Sequence, residues 1–579
     1  MTHRNRPAGQ VWAPQASAVE LHVERDGGVT RTPLARDALG WWTGGELAPG
    51  DDYGFVVDGS GPFPDPRSPA QPHGVHGLSR HVVLDPDAWT DADWSGIDAL
   101  GAVHYEVHVG TFTPGGTLDA AIEELDRLAD AGIELVTLMP IAPFPGQRGW
   151  GYDGVGMYAV HEAYGGPEAL QRFVNAAHAR GLGVGLDVVF NHQGPDGNWL
   201  GMYGPYFSHR HQTPWGHGAN LDGPGSDAVR AHIIGAALRW FEDFHVDALR
   251  LDAVHALVDD SPRHLLAELA DETEALSARL GRPLALIAES DRNDPLTVTP
   301  TSAGGLGQTM QWADDVHHAL HAYLTGERHG YYADFGSIET LDHALRRVFV
   351  HDGSYSSFRD ELWGAPVPDD IDRRRFVVFA SNHDQVGNRA LGDRPVTSLT
   401  PAAYATSLAV VLLGPFTPML FMGEEHGEDA PFQFFSDHEA ELGEAVTRGR
   451  IAEFASHGWE GDIEVPDPQD VATFERSRIA HAYDASERYA RVRAWVATCI
   501  GLRERTRDPA AWTRHPVRAW EPSPGVLAVE GPVRIIANLS DAQLEFPVDH
   551  SHALLGSWGE VSVHDGTATM PAQSVALVG

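Results

Sequence analysis

Carboxylates, histidines and an arginine recur where apolar segments end in the central part of the chain. The four segments that carry them are DVVFNH at 187–192, LRLDAVH at 249–255, AES at 288–290 and SNHDQ at 381–385. A lone aspartate at the end of a strand usually caps a helix, but a succession of such clusters is hard to explain by capping. Together they would bring carboxylates, histidines and an arginine to one rim, an arrangement that can supply a nucleophile and a general acid or base.

A fifth polar cluster follows another short apolar segment. WADDVHHAL at 312–320 places Asp314, Asp315, His317 and His318 within five positions. Polar residues at the carboxyl ends of parallel barrel strands line the active site in that architecture. The cluster is therefore a further candidate for substrate binding, with a capped, solvated loop as the alternative interpretation.

The elements between these clusters alternate in a regular way from about residue 100. Apolar segments of strand length are followed by segments with helical spacing, and the strand candidates are apolar on both faces, as buried parallel strands are. This pattern predicts an α/β fold with a (β/α)8 TIM barrel, with a doubly wound sheet as the alternative. The eight predicted strands lie in VHYEVHVGTF, ELVTLMPI, GLGVGLDVVF, DALRLDAV, LALIAES, TMQWA, FVVFAS and PMLFMG.

Short alternating strands flank the predicted barrel. Residues 1–90 are predicted to form an N-terminal β-sandwich of carbohydrate-binding type, and 515–579 a small C-terminal β-domain. The catalytic barrel is predicted to occupy 100–510, with insertions at 193–226 and 319–372.

The composition excludes several classes of protein. Acidic residues outnumber basic residues 81 to 41, and a net charge of -40 repels nucleic acids and anionic membranes. Cys499 is the single cysteine, which excludes an intramolecular disulfide and cysteine-rich metal sites. The first ten residues contain no signal-like apolar run, and no apolar segment is long enough to span a bilayer, so a cytoplasmic location is expected.

In order and spacing, the four segments of 187–385 resemble the four conserved regions of the α-amylase family. The resemblance covers about residues 100–430 and implies a retaining mechanism. It implies that Asp252 is the nucleophile, Glu289 the acid/base and Asp384 the residue that stabilises the transition state. Arg250 is expected to favour the ionised form of Asp252, while crowded carboxylates keep Glu289 protonated.

The resemblance also implies a set of substrate-binding residues. Tyr152, in WGYDG after the second strand, resembles the ring that stacks on the cleaved glucose. Asn191 corresponds to a calcium ligand of many α-amylases, but acidic companions are not recognisable in 193–226, so neither a metal nor a cofactor is predicted. The full set of predicted substrate-binding residues is Tyr152, Asp187, His192, Arg250, His255, Asp314, Asp315, His317, His318, Asn382, His383, Gln385 and Asn388.

Four segments resemble one group within the family, whose members remove trehalose from the end of malto-oligosyltrehalose. They are HDQVGNRALG at 383–392, DAVHAL at 252–257, WADDVHHAL at 312–320 and DPRSPAQPHGVHG at 65–77. The resemblance implies malto-oligosyltrehalose and related α-1,4-glucans as ligands, and a malto-oligosyltrehalose synthase as the neighbouring enzyme of the pathway. A glycogen branching enzyme is the nearest alternative, followed by another α-glucan hydrolase. A non-catalytic glucan-binding barrel is disfavoured because all three catalytic positions hold carboxylates.

Overall fold

The computed structural model describes residues 9–456, 464–480 and 486–579. Most of the N-terminal segment on which the prediction about a signal peptide was based lies outside these residues, as do parts of the predicted 100–510 domain.

The centre of the described structure is a closed barrel of parallel strands. Each strand pairs with the next along the chain, and the last pairs with the first through Met419↔His104. Closure confirms the TIM barrel and excludes the doubly wound sheet. Within the described ranges the barrel strands, here numbered 1 to 8, are His104–Val107, Leu135–Leu138, Gly183–Val188, Ala248–Leu251, Ala285–Ala288, Met310–Trp312, Phe376–Phe379 and Thr417–Phe421.

The parity of the strands decides which side chains enter the barrel. Ala248, Ile287 and Trp312 pack together in an apolar cluster with other strand residues. Side chains two positions apart on a strand point to the same face. The residues two positions after these three therefore also point inward, at the carboxyl end of the barrel. Arg250 on strand 4, Glu289 after strand 5 and Asp314 after strand 6 therefore lie around one opening.

Helices surround the barrel and pack apolar faces against the strands. The helix Gly166–His178, for example, buries Leu170, Phe173 and Val174, as an amphipathic helix on a barrel does. The helices of six residues or more are Leu125–Asp130, Gly166–His178, Ser226–Asp243, Leu265–Leu280, Asp314–Thr325, Ile338–Arg347, Pro401–Leu413, Ala440–Ser456, Val471–Arg476, Glu487–Leu502 and Pro509–Arg514. Shorter helices are Val109–Phe112, Leu118–Ile122, Leu200–Tyr203, His383–Gly387 and Pro395–Ser398.

Antiparallel sheets precede and follow the barrel. The N-terminal sheets contain the strands Val11–Trp12, Val19–Arg25, Gly28–Pro33, Ala35–Arg36, Trp41–Thr43, Asp52–Val57, Ser60–Phe63 and Ser79–Arg80. The C-terminal sheets contain Arg518–Ser523, Val526–Glu530, Arg534–Asn538, Leu544–Pro547, Leu554–Trp558, Ser562–His564, Thr567–Met570 and Ser574–Val578. The predicted domain boundaries stay a prediction.

Each of the two long excursions contains a hairpin. The excursion after strand 3 contains Phe207–Thr213 paired with Gly216–Ala219. The N-terminal sheets support it, since the Tyr203 hydroxyl lies 3.1 Å from the Phe63 carbonyl and donates to that of Pro64 at 2.7 Å. After strand 6, the segment 319–372 contains most of the helix Asp314–Thr325, the helix Ile338–Arg347 and the hairpin of Ser354–Ser356 with Glu361–Trp363.

In the ranges that the structure describes, no helix combines the length and the apolar character needed to cross a membrane.

Candidate active site

The predicted nucleophile and the predicted acid/base lie on the same guanidinium group. Arg250 Nη1 donates to Asp252 Oδ1 at 2.7 Å, and Arg250 Nη2 is 3.4 Å from Glu289 Oε2. The side chain of Arg250 is buried, and its Cζ lies 4.4 Å from the centre of the Trp312 ring. Strands 4 and 5 therefore present two carboxyl groups side by side, as double-displacement chemistry requires.

Further donors fix each carboxyl group. Asn191 Nδ2 donates to Asp252 Oδ2 at 2.9 Å and to the Asp252 carbonyl at 2.8 Å. Asn191, which corresponds to a calcium ligand in many α-amylases, thus contacts the predicted nucleophile in this structure. Ala253 has a φ of 40°, in the left-handed region, and its N–H donates to Glu289 Oε2 at 2.5 Å. Strained backbone of this kind is held by its surroundings and is frequent at functional sites.

The environment of Glu289 favours its protonated form at neutral pH. Burial raises the pKa of Glu289 to about 8, helped by the charges of Asp252, Asp384 and Asp314 and opposed by Arg250. Because Oε2 faces the Ala253 N–H and the Arg250 guanidinium, the proton belongs on Oε1. A carboxylic acid held in this way can donate a proton to a leaving oxygen.

Asp384 lies on the first turn of the short helix His383–Gly387. Asn382 is the N-cap of this helix: its Oδ1 accepts from the N–H groups of Asp384 at 2.8 Å and Gln385 at 3.3 Å. Asn388 Nδ2 donates to Asp384 Oδ1 at 3.1 Å. The Asp384 side chain is 41% exposed, so it faces the opening of the barrel. Asn382 and Asn388 are thus placed to orient Asp384.

A chain of hydrogen bonds connects His383 with the arginine. His383 Nε2 lies 2.8 Å from the Tyr152 hydroxyl, which donates to Asp187 Oδ2 at 2.7 Å. Both oxygens of Asp187 accept from Arg250, at 2.9 and 2.8 Å. Burial raises the pKa of Asp187 to about 6, against the effect of Arg250. The Tyr152 ring stacks on the His383 ring at 5.1 Å, so these groups form one polar floor.

The fifth cluster divides into two parts. Gln385 Nε2 lies 3.4 Å from Asp314 Oδ1, while the buried Gln385 Oε1 lacks a hydrogen-bond partner among the described residues. Burial and the charge of Asp384 raise the pKa of Asp314 to about 7. Asp314 and Gln385 therefore lie beside Asp384, where both side chains are candidates for contact with a ligand.

The other part of this cluster is engaged with the protein. Asp315 Oδ2 accepts from Asn293 Nδ2 at 3.0 Å and from the N–H groups of Val350 at 2.7 Å and His351 at 3.2 Å. His317 Nδ1 is 2.7 Å from the Ala380 carbonyl, and burial lowers its pKa well below the usual value. Asp315 and His317 therefore hold neighbouring segments in place, although the sequence had suggested direct contact with a substrate.

The remaining predicted residues lie at the edges of the site. His192 Nδ1 is 2.5 Å from Asn191 Oδ1, and its Nε2 is 3.0 Å from the Tyr152 carbonyl, so both ring nitrogens face protein acceptors. Its ring stacks on that of Trp215 at 4.9 Å, and Trp215 is 50% exposed. His255 Nδ1 accepts from the Asp291 N–H at 3.3 Å. The His318 ring lies 4.9 Å from the ring of Tyr331.

The structure brings residues to the site that the sequence did not single out. Tyr331 and Phe358 are exposed aromatic residues whose rings lie 6.1 Å apart, and Tyr331 lies against His318. Arg359 pairs with Asp291. Glu106 on strand 1 is buried against His383. A glutamate inside the apolar strand segment VHYEVHV was the signal for Glu106; the other residues lie in segments without a recognisable pattern.

Among the described residues, one group has three side chains close enough to hold a metal ion: His211, Asp222 and Asp260. His211 lies in the hairpin after strand 3, Asp222 follows that hairpin, and Asp260 lies in the segment after strand 4. His211 Nε2 is 2.8 Å from Asp222 Oδ2, and Arg210 lies 3.6 Å from Asp222 and 3.4 Å from Asp260. The Arg210 guanidinium is thus within ion-pair distance of both carboxylates.

Comparison with known proteins defines the class. The family model "Alpha amylase, catalytic domain" matches residues 83–208. A crystal structure titled as a putative α-amylase from Salmonella typhimurium superposes with a TM-score of 0.87 at 36% identity, covering 100% of this chain and 99% of that one. With the closed barrel and the paired carboxyl groups, these matches define a glycoside hydrolase of the α-amylase type.

Curated relatives narrow the class. Malto-oligosyltrehalose trehalohydrolase from Arthrobacter ramosus is 52% identical over 98% of each chain. The protein of the same name from Mycobacterium tuberculosis strain H37Rv is 48% identical over 99% of each chain. The chain belongs to the malto-oligosyltrehalose trehalohydrolase family, which confirms the resemblance found in the sequence.

Proposed function

We propose that the protein hydrolyses the α-1,4-glucosidic bond next to the trehalose end of malto-oligosyltrehalose, releasing trehalose and a shortened malto-oligosaccharide. The observation that carries the proposal is the pair of carboxyl groups, Asp252 and Glu289, on the shared Arg250 guanidinium. Full-length similarity to proteins named for this reaction supplies the substrate.

The proposed reaction is a double displacement. Asp252 attacks the anomeric carbon while Glu289 protonates the oxygen of the leaving trehalose unit, which gives a glycosyl-enzyme intermediate. Water then hydrolyses the intermediate with Glu289 acting as base, so the configuration is retained. Asp384, exposed at the opening, stabilises the positive charge that develops on the sugar ring.

Recognition of the trehalose end is assigned to the residues beside Asp384. Gln385 Nε2 lies 3.4 Å from Asp314 Oδ1, and both side chains lie next to Asp384. A hydroxyl of the second glucose of trehalose is assigned to Asp314 or to the Gln385 amide, whereas a differently linked sugar does not present a hydroxyl at that position. His318 and His255 border the same opening, while Asp315 and His317 support it from behind.

Product analysis tests the proposed function. Maltotriosyl trehalose incubated with the enzyme is expected to give trehalose and maltotriose, with the new reducing end appearing first as the α-anomer in proton NMR. Asp252→Asn removes the attacking charge and is expected to reduce turnover by several orders of magnitude with an unchanged circular dichroism spectrum.

The alternatives have distinct outcomes in the same experiment. Equal cleavage of maltotriosyl trehalose and maltotetraose would replace the proposal by a general α-glucan hydrolase. Loss of iodine staining of amylose without new reducing ends would indicate a branching enzyme. A cytoplasmic location and a malto-oligosyltrehalose synthase as pathway neighbour remain predictions, as does glucan binding by the N-terminal sheets.

A further inference from the structure

We propose that Glu106, on strand 1, is a positioning residue that holds His383 as a doubly protonated donor at the floor of the active site. The inference rests on the proposed function only for the identity of the substrate, because the contacts of Glu106 do not depend on it. Glu106 is 1% exposed, and each of its oxygens contacts the same partner residue. Oε1 lies 2.7 Å from His383 Nδ1, and Oε2 accepts from the His383 N–H at 2.9 Å.

The hydrogen-bond directions assign two protons to the His383 ring. The Tyr152 hydroxyl has a single hydrogen, which it donates to Asp187 Oδ2. The contact of 2.8 Å between the same hydroxyl and His383 Nε2 is therefore a hydrogen bond in which Nε2 is the donor. The Glu106 carboxylate has no hydrogen to give, so Nδ1 also donates. A histidine that donates from both nitrogens is an imidazolium.

The charged groups around His383 agree with this assignment. Although burial lowers it, the charges of Glu106 and Asp384 raise the pKa of His383 to about 9. Asp384 Oδ2 lies 3.6 Å from Nε2, and Arg250 opposes the protonation. The other titratable groups that face His383 are His108 from the end of strand 1, Tyr152 from the loop after strand 2 and Asp187 from strand 3.

Glu106 acts through the groups that His383 contacts. His383 Nε2–H orients the Tyr152 hydroxyl, which orients Asp187, which in turn holds Arg250 beside Asp252 and Glu289. Loss of the negative charge at position 106 removes the ring's second proton at neutral pH. The Tyr152 hydroxyl then loses a donor, and the position of His383 next to Asp384 is held less firmly.

Glu106→Gln tests the inference, because it keeps the size of the side chain and removes its charge. We expect kcat near pH 7.5 to fall by about tenfold or more while KM changes little, since the loss concerns orientation of reacting groups. Lowering the pH to about 5.5 restores the proton on His383, so the ratio of wild-type to variant kcat is expected to shrink several-fold. Glu106→Asp retains the charge and should keep a pH profile of wild-type shape.

Asp91→Asn is the matched control. Asp91 is also a buried carboxylate that contacts histidine, with Oδ2 2.8 Å from His178 Nδ1, but it lies away from the active site, before strand 1. The ratio of wild-type kcat to the kcat of Asp91→Asn should not depend on pH. A ratio for Glu106→Gln that is equally independent of pH would overturn the inference and leave Glu106 a purely structural residue.

Thermal unfolding gives a readout that does not depend on the substrate. A histidine whose pKa is raised from its usual value to about 9 contributes stability below the unfolded pKa, and this contribution is lost as the pH rises through 9. The Tm difference between wild type and Glu106→Gln should therefore be larger near pH 6 than near pH 9.5. An equal difference at both pH values contradicts the inference.

The two proposals can fail separately. If wild type does not prefer maltotriosyl trehalose, the proposed function fails. The kinetic measurements, repeated with maltotetraose as substrate, then still decide the role of Glu106.

Discussion

At the scale of single residues, Arg250 organises the site. Its guanidinium contacts Asp187, Asp252 and Glu289, and the Trp312 ring supports it from one side. One positive charge cannot neutralise three carboxylates, so the group that is least well compensated keeps its proton. Burial, together with the neighbouring carboxylates, raises the pKa of Glu289 to about 8, so this carboxyl group is the one suited to carry a proton at neutral pH.

The proton on Glu289 predicts the alkaline limit of activity. The general acid must be protonated, and the pKa of Glu289 is raised to about 8, so kcat/KM is expected to be maintained at neutral pH and to fall as the pH rises through about 8. Steady-state kinetics on maltotriosyl trehalose between pH 5 and 10 checks this. Glu289→Gln should lose most of its activity on this substrate but retain the first step on substrates with good leaving groups. An alkaline limb that survives in Glu289→Gln with such substrates would assign the limb to another group.

The position of Gln385 beside Asp314 predicts its contribution to specificity. A hydrogen bond lost from a bound sugar leaves its partner unsatisfied at a cost of about 1–3 kcal/mol, so Gln385→Ala should lower the preference for maltotriosyl trehalose over maltotetraose by about tenfold to a hundredfold. The measurement is the ratio of specificity constants for the two substrates. Asn388→Ala, which disturbs Asp384 alone, should lower both constants and leave their ratio unchanged. An unchanged ratio in Gln385→Ala would remove Gln385 from the trehalose subsite.

At the scale of elements, strand ends and helix starts set the position of each reacting group. Strands 3, 4 and 5 fix Asp187, Arg250 and Glu289 through their register, which pairs Asp187 with Arg250 directly. Asp384 is positioned differently, since it depends on a helix of five residues whose first N–H groups bond to Asn382. The N-terminus of so short a helix is stabilised mainly by its N-cap residue.

The cap predicts a graded response at position 382. Asn382→Ala removes the N-cap, which is worth about 1 kcal/mol, and is expected to lower kcat about tenfold because Asp384 loses its fixed orientation. Asn382→Ser can still cap the helix and should retain most of the activity. Both variants are compared by kcat and by Tm. Equal losses in the two variants would indicate that Asn382 contacts the substrate rather than the helix.

At the scale of the whole molecule, charge is the dominant feature. With 81 acidic and 41 basic residues, the net charge of -40 makes the folded state repel itself. A neutral sugar chain is not affected by this field, whereas nucleic acids and anionic surfaces are repelled. This repulsion lowers the stability of the folded state, because folding concentrates the negative charges.

Screening of this charge predicts stabilisation by salt. Raising NaCl from about 0.05 M to about 0.5 M shortens the Debye length several-fold and should raise the Tm at pH 7.5 by a few degrees. Differential scanning calorimetry measures the shift. Choline chloride at the same ionic strength should act alike, since screening does not depend on the cation. A Tm that falls or stays constant in both salts would show that self-repulsion is not a significant cost.

The sequence by itself determined the barrel, and through its resemblance to a known family it predicted which carboxylates react. Apolar strands buried on both faces and alternating with helical segments are local patterns, and so are the motifs around Asp252, Glu289 and Asp384. The parity of each strand also follows from the sequence, because side chains alternate along it. Arg250 and Asp252 are two positions apart and so share one face, in agreement with the expectation that Arg250 acts on Asp252.

The tertiary structure alone decided which residues meet across the barrel. Glu106 and His383 are 277 positions apart, and they touch because strand 8 closes on strand 1 and brings strands 7 and 1 to the same floor. The rotation of the helix Asp314–Thr325 turns Asp314 to the opening and Asp315 to the backbone of 350–351, although the two are neighbours. Barrel closure and the rotation of a helix about its axis depend on packing between distant segments. Local sequence patterns therefore do not predict them.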